Sequence, residues 1–184
     1  ECIKTNIHGS ENVAKLAIEN NVEKCILIST DKACYPANVY GSSKFIAERL
    51  FVNCDYYSVA QGATTRLSAV RYGNVIASRG SFIPMWLDLI KKGERIKVTS
   101  LGCSRFMFTL CDAATAVLDS LEVMRGGEVF VPLISSYHME TVLAAMKKLL
   151  NIEQINYDVV GIRPGEKVHE LSLIHISEPT RQAE

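Results

Sequence analysis

The sequence predicts an α/β fold in which a parallel sheet is followed by a smaller α+β lobe. Two short apolar runs, at residues 24–29 and 67–72, flank a long helical pattern, which is the arrangement of a parallel β-α-β unit. From Ser81 onward, helical patterns and short strands no longer alternate strictly. The chain has 184 residues, of which 48% are hydrophobic and 22% charged, so it is long enough to bury a core.

The first predicted helix covers residues 6–21 and leads into the first strand. Its apolar side chains at Val13, Leu16 and Ala17 recur at helical spacing, with polar residues between them. The run 24–29 is apolar without alternation, and such a run is typical of a strand covered on both faces. A helix followed by a buried strand is therefore expected here.

A second helix and a second strand complete the parallel unit. Pro36 and Asn38 interrupt the chain, and the helix is predicted to begin near Val39 and to continue through Phe51. Residues 67–72 form the second apolar run. The later elements are predicted as helices over residues 82–91, 112–124 and 141–150 and as short strands over residues 95–98 and 128–131.

The chain is predicted to contain three segments. Residues 1–80 are the C-terminal part of the sheet domain, and residues 81–170 are the smaller lobe. Because the chain opens in a helix, without a preceding strand or an initiator methionine, we expect the first half of the sheet domain to be missing. Leu171 to Arg181 resembles the translation of a transposase-type sequencing adapter, so residues 171–184 are interpreted as a non-native tail.

Composition and charge disfavour several classes of function. Twenty basic residues balance twenty acidic ones, so nothing favours binding to nucleic acid or to a membrane surface. No apolar run reaches the length of a transmembrane helix, and the N-terminus does not resemble a signal peptide. The six cysteines are scattered without metal-ligand spacing, which predicts no metal site and favours a reducing cytoplasm.

The residues that carry chemistry cluster after the first strand, where open α/β sheets place their sites. They are Ser29, Thr30, Asp31, Lys32, Tyr40 and Lys44. Tyr40 and Lys44 share one face of a helix, and a lysine ammonium beside a phenol favours the phenolate that can take a proton from an alcohol. The alternative for each motif is an ordinary one, since Tyr/Lys pairs and Asp-Lys turns also occur on solvated surfaces.

Sequence blocks spread over residues 1 to about 170 resemble one family. The blocks are residues 1–6, 29–33, 40–44, 70–75, 78–81, 126–132 and 161–167. They resemble the inverting UDP-N-acetylglucosamine 4,6-dehydratases, which are extended short-chain dehydrogenase/reductases of the flagellin pseudaminic-acid pathway with a Rossmann-like sheet.

The resemblance implies a catalytic role for four residues. Tyr40 and Lys44 are implied to oxidise the sugar at C4, with Lys44 also holding the nicotinamide ribose. Lys32 is implied to take the C5 proton and Asp31 to help expel the C6 hydroxyl. The ketone at C4 acidifies the C5 proton, which brings it within reach of a lysine base.

The same resemblance implies cofactor and substrate contacts. The cofactor is expected to be NADP, with NAD as the alternative, and Ser29 and Thr30 are expected to contact it together with the Tyr/Lys pair. The UDP-sugar substrate is expected to contact Asn74, Arg79, Arg105, Arg163 and Glu166. None of the eleven glycines forms a glycine-rich dinucleotide turn, so the 184-residue chain by itself is expected to be inactive.

Two other functions remain open from the sequence. A nucleotide-sugar 4-epimerase needs Tyr40 and Lys44 but has no use for Asp31 and Lys32, whereas a non-catalytic relative would use the fold only to bind a nucleotide. For the leading interpretation, the full-length protein is expected to be cytoplasmic and to form a homo-oligomer, with no nucleic-acid or membrane partner.

Overall fold

The computed structural model describes residues 1–170, which divide into two compact units. Within these residues the first unit comprises Glu1–Tyr72 and Cys111–Leu133, and the second comprises Gly73–Leu110 and Ile134–Glu170. The predicted tail, residues 171–184, lies outside the described residues.

The described chain contains α-helices and short strands. The helices are α1 (Gly9–Glu19), α2 (Val39–Ala60), α3 (Phe82–Lys91), α4 (Leu110–Val123) and α5 (Met139–Leu150). The strands are β1 (Lys24–Ile28), β2 (Arg66–Val70), β3 (Asn74–Val75), β4 (Ile96–Val98), β5 (Ser104–Phe108), β6 (Val129–Phe130), β7 (Ser136–His138) and β8 (Tyr157–Val159). A π-helical stretch, Ile3–His8, leads into α1, and a 3₁₀ turn, Asp31–Ala33, lies between β1 and α2.

The first unit contains a parallel sheet with strand order β1-β2-β6. The central strand β2 is buried at Leu67, Ala69 and Val70, as predicted for a strand covered on both faces. β1 is only partly buried, because it forms the edge of this sheet in the described part of the chain. The prediction of full burial was therefore right for β2 and wrong for β1.

Helix α1 faces the core of the first unit with small side chains. Ala14 and Ala17 are buried and pack near Leu67. Val13 and Leu16, two members of the predicted apolar stripe, are 52% and 56% exposed. The alanines lie on the buried side because their small side chains let the helix approach its neighbours closely.

The second unit packs helices around two small sheets. The sheet β3-β5-β7 combines a parallel pair with an antiparallel pair, and β4 pairs with β8 in parallel. Its core contains Trp86 of α3, Ile96 and Val98 of β4, Met107 of β5 and Leu143 of α5. This mixture of helices and short strands agrees with the α+β character predicted for this part of the chain.

The boundary between the units differs from the predicted one at residue 80. The first unit stops at Tyr72 and resumes over Cys111–Leu133, because β6 pairs in parallel with β2. A strand that returns to an earlier sheet makes a long-range contact, which local sequence patterns do not reveal. Among the helices of the described residues, none combines the length and the apolar character that crossing a membrane requires.

Candidate active site

The backbone that follows β1 stays attached to the end of β2. The Ser29 N–H donates to the Val70 carbonyl at 2.7 Å, and the Asp31 N–H donates to the Tyr72 carbonyl at 3.1 Å. The β1–β2 pairing thus continues beyond both strands and fixes the chain at the carboxyl edge of the sheet. Open α/β sheets bind their ligands at this edge, so polar side chains here are candidates for a functional site.

The 3₁₀ turn presents Asp31 and Lys32 as a contacting pair. Lys32 Nζ donates to Asp31 Oδ1 at 3.0 Å, and the Thr30 hydroxyl donates to the same oxygen at 2.8 Å. Asp31 is 7% exposed, and its Oδ2 is buried and has no hydrogen-bond partner among the described residues. One carboxyl oxygen is therefore held by two hydrogen bonds, while the other has none among the described residues.

Helix α2 places Tyr40 and Lys44 one turn apart on one face. Its start is capped by Asn38, whose side-chain oxygen accepts from the Gly41 N–H at 2.9 Å. Tyr40 is 44% exposed, whereas Lys44 Nζ donates to the Ile28 carbonyl at 3.1 Å. Burial lowers the pKa of Lys44 from its ordinary value. The phenol is accessible and the amine is held at the end of β1.

Gly41 lets α2 begin directly against the 3₁₀ turn. A Cβ atom at this position would overlap the carbonyl oxygen of Lys32 and lie 3.2 Å from the Pro36 Cβ. The glycine therefore allows the helix start that carries Tyr40 to approach the turn that carries Lys32. From the sequence, Gly41 was noted only as part of a motif, and its role in close approach was missed.

A buried ion pair, also missed from the sequence, lies one turn after Lys44. Arg71 donates from Nε and Nη2 to the Glu48 carboxylate at 2.7 and 2.6 Å, and the Ser29 hydroxyl donates to it at 3.0 Å. Burial raises the pKa of Glu48, but the hydrogen bonds and charge of Arg71, with hydrogen bonds from Arg49 and Ser29, lower it overall. The carboxylate is thus charged and held from several sides.

The second unit brings three of the predicted substrate residues together. Arg105 Nη2 donates to Glu166 Oε1 at 2.9 Å, and the Thr99 hydroxyl donates to the same oxygen at 3.2 Å. The Arg163 N–H donates to Glu166 Oε2 at 3.4 Å. Glu166 therefore orients Arg105 and the Arg163 loop, which fits a role in positioning these arginines more directly than a role as a substrate contact.

The other two predicted substrate residues lie elsewhere in the second unit. Asn74 begins β3 and pairs with Met107 of β5, two residues beyond Arg105. Arg79 is exposed in the loop between β3 and α3. The residues predicted for chemistry, Asp31, Lys32, Tyr40 and Lys44, all belong to the first unit, and those predicted for substrate binding all belong to the second.

Known proteins similar to this chain include a dehydratase and an epimerase, and a family profile also matches it. The profile of a family described as "Polysaccharide biosynthesis protein" matches residues 1–184. The chain is 42% identical over 174 residues to an inverting UDP-N-acetylglucosamine 4,6-dehydratase of Campylobacter jejuni, covering 94% of this chain and 50% of that protein. It is 39% identical over 170 residues to a UDP-glucose 4-epimerase of Rickettsia akari, covering 92% and 49%. The chain spans about half the length of the curated relatives it matches.

Solved structures share the fold. Pen from Bacillus thuringiensis matches with a TM-score of 0.82 and 36% identity, over 89% of this chain and 51% of that one. A dTDP-glucose 4,6-dehydratase from Bacillus anthracis, solved in complex with NAD, matches with a TM-score of 0.73 and 20% identity, over 88% and 58%. The predicted Rossmann-like α/β fold is thereby confirmed.

Proposed function

Because this chain belongs to the family of polysaccharide biosynthesis proteins, we propose that the complete protein is a nucleotide-sugar 4,6-dehydratase. The finer proposal is UDP-N-acetylglucosamine as substrate and inversion at C5, supported by the 42% identity to such an enzyme. The observation that carries the proposal is the Asp31–Lys32 pair, which is held at the sheet edge and keeps one carboxyl oxygen for a ligand.

The proposed cofactor is a nicotinamide dinucleotide, NADP being the finer proposal. Tyr40 and Lys44 would hold its ribose, which fits an exposed phenol and a lysine tethered at the end of β1. When bound, the nicotinamide would supply the acceptor for the C4 hydride and would later return that hydride to C6. The hydroxyl hydrogens of Ser29 and Thr30 are engaged by Glu48 and Asp31, so these two residues would contact the cofactor through oxygen lone pairs or backbone groups.

Tyr40 and Lys44 would carry out the first proton transfer. The phenolate oxygen of Tyr40 takes the proton of the C4 hydroxyl as C4 becomes a ketone. The neighbouring amine of Lys44 stabilises the phenolate by its charge, and the Ile28 carbonyl holds that amine in place. This half of the site suffices for oxidation and serves an epimerase equally well.

Asp31 and Lys32 would remove the elements of water. The Lys32 amine takes the C5 proton, and Asp31 Oδ2 donates a proton to the departing C6 hydroxyl. Return of the hydride to C6 and of a proton to C5 would complete the product, and the proton that Tyr40 took from the C4 hydroxyl balances the one that C5 gains. Lys32 then carries an extra proton and Asp31 lacks one. The 3.0 Å contact between Nζ and Oδ1 lets that proton pass back, which restores both groups for the next turnover.

Replacing Lys32 by alanine in the complete protein tests this function. Loss of the base should lower formation of the 4-keto-6-deoxy sugar nucleotide by about 10²–10⁴-fold, measured by mass spectrometry with UDP-N-acetylglucosamine. Lys15→Ala, at an exposed lysine of α1, is the matched control and should retain activity. Unchanged dehydration by the Lys32 variant would contradict the assignment.

A 4-epimerase is the second candidate, and the 39% identity to a UDP-glucose 4-epimerase favours it. This function would use Tyr40 and Lys44 alone. Conversion of a UDP-sugar to its C4 epimer without loss of water, in both the parent protein and Lys32→Ala, would establish the epimerase in place of the dehydratase.

A further inference from the structure

We propose that Glu48 is a positioning residue, whose carboxylate joins α2 to the ends of β1 and β2. By this connection it sets Tyr40 and Lys44, on the helix, against Asp31 and Lys32, on the turn after β1. The proposal rests on the proposed function in that these four residues perform the chemistry.

The carboxylate bridges the first residue after each strand. Ser29 directly follows β1 and Arg71 directly follows β2, and both donate hydrogen bonds to Glu48. Glu48 is fully buried, and Ser29 and Arg71 are 4% and 6% exposed. Burial shields these charge-assisted bonds from water, so they hold the three groups in one geometry.

Arg71, which Glu48 holds, directly precedes the residue that holds the backbone of Asp31. The Arg71 N–H donates to the Phe130 carbonyl at 2.8 Å, which fixes Arg71 in the sheet. The next residue, Tyr72, supplies the carbonyl that accepts from the Asp31 N–H. A shift of Arg71 would therefore displace the anchor of Asp31.

The same carboxylate also sets the helix. Lys44 precedes Glu48 by one turn on the same face, and its Nζ donates to the carbonyl of Ile28, the residue before Ser29. Two successive residues at the end of β1 are thus bound by two successive turns of α2. A displacement of about 1 Å at a reacting group can lower a rate about 100-fold, so the position of α2 along the end of β1 affects catalysis.

Stability alone does not account for such a pair. Buried ion pairs are often replaced by apolar residues with little loss of stability, because removing two charges from water is costly. Asp55 offers a comparison, since it is a second buried carboxylate on α2, 4% exposed. Its Oδ1 accepts from the Leu67 N–H at 2.8 Å, at the opposite, amino end of β2.

The test compares Glu48→Gln with Asp55→Asn in the complete protein. Both changes turn a buried carboxylate of α2 into an amide, but only the first lies at the site. Glu48→Gln should lower kcat by about 10- to 100-fold with KM within about threefold, whereas Asp55→Asn should lower the unfolding midpoint and keep kcat. The double variant Glu48→Leu/Arg71→Met, which replaces the ion pair by apolar side chains, should keep the unfolding midpoint of the parent and have a lowered kcat.

Amide hydrogen exchange of residues 29–32 provides a readout that needs no substrate. Glu48→Gln should speed exchange in this segment, and Asp55→Asn should not. If the parent protein dehydrates no sugar nucleotide, the proposed function fails, while the exchange rates still decide the positioning role. Wild-type kcat and exchange in Glu48→Gln, or an equal loss of kcat in both single variants, would overturn the proposal.

Discussion

Replacing Gly41 by alanine should push the start of α2 away from the turn that carries Lys32. The new methyl group would overlap the Lys32 carbonyl, which is backbone. That backbone has little freedom to move, since the Lys32 N–H donates to the Thr30 hydroxyl and the Cys34 N–H donates to the Asp31 carbonyl at 3.1 Å. The helix start must therefore shift.

The expected loss of stability is about 1–2 kcal/mol. Overpacking a tight site costs typically about 1–3 kcal/mol, and alanine returns up to about 1 kcal/mol because it favours a helix more than glycine does. Gly9 of α1 is the matched control, since a Cβ atom there would lie 3.8 Å from the Lys4 carbonyl oxygen, an ordinary contact. Gly9→Ala should raise the unfolding free energy by about 0.5–1 kcal/mol.

Urea unfolding and steady-state kinetics of the complete protein measure both effects. Gly41→Ala should unfold at lower urea than the parent and Gly9→Ala at higher urea. A helix start displaced by about 1 Å should lower kcat for dehydration by up to about 100-fold, and Gly9→Ala should leave kcat unchanged. If Gly41→Ala matched Gly9→Ala in both stability and kcat, the close approach would have no role in the site.

Three further changes test other parts of the site. The pKa of Glu48 is lowered from 4.5, so its contribution to stability is complete above that value and is lost as pH falls through the folded-state pKa. Glu48→Gln should therefore weaken the fall of the unfolding free energy at acid pH, measured by unfolding at a series of pH values. Asp31→Asn should lower dehydration by about 10²-fold or more in the product assay, because an amide cannot supply the proton. Glu166→Gln should raise KM for the UDP-sugar severalfold, with kcat retained, because Arg105 loses its charged partner; an unchanged KM would contradict this.

The regular elements were predictable where the pattern is local. The helix over residues 82–91 was predicted with the bounds that the structure has, because its apolar residues recur at helical spacing. Strand β5 was missed, since Ser104–Phe108 contains an arginine and follows a Gly-Cys loop. Its pairing with β3 and β7 involves residues distant in sequence, which a local pattern cannot show.

The site was predictable only where a motif carries it. Asp31, Lys32, Tyr40 and Lys44 were singled out from their place after a strand and from the family resemblance, and their catalytic roles stay predictions. Glu48 was missed because a glutamate one turn after a lysine is typical of a solvated helix face. Only its partner Arg71, 23 residues away, shows that this carboxylate is buried and paired.

The unpaired oxygen of Asp31 bears on the choice between dehydratase and epimerase. Among the described residues, Asp31 Oδ2 is buried and has no hydrogen-bond partner. The epimerase proposal gives this oxygen no role, because Tyr40 and Lys44 suffice for that chemistry. In the proposed dehydratase the same oxygen protonates the leaving hydroxyl. The identities of this chain to the dehydratase and to the epimerase, 42% and 39%, differ little, so Asp31→Asn, which should stop loss of water and spare epimerisation, is the change that separates the two proposals.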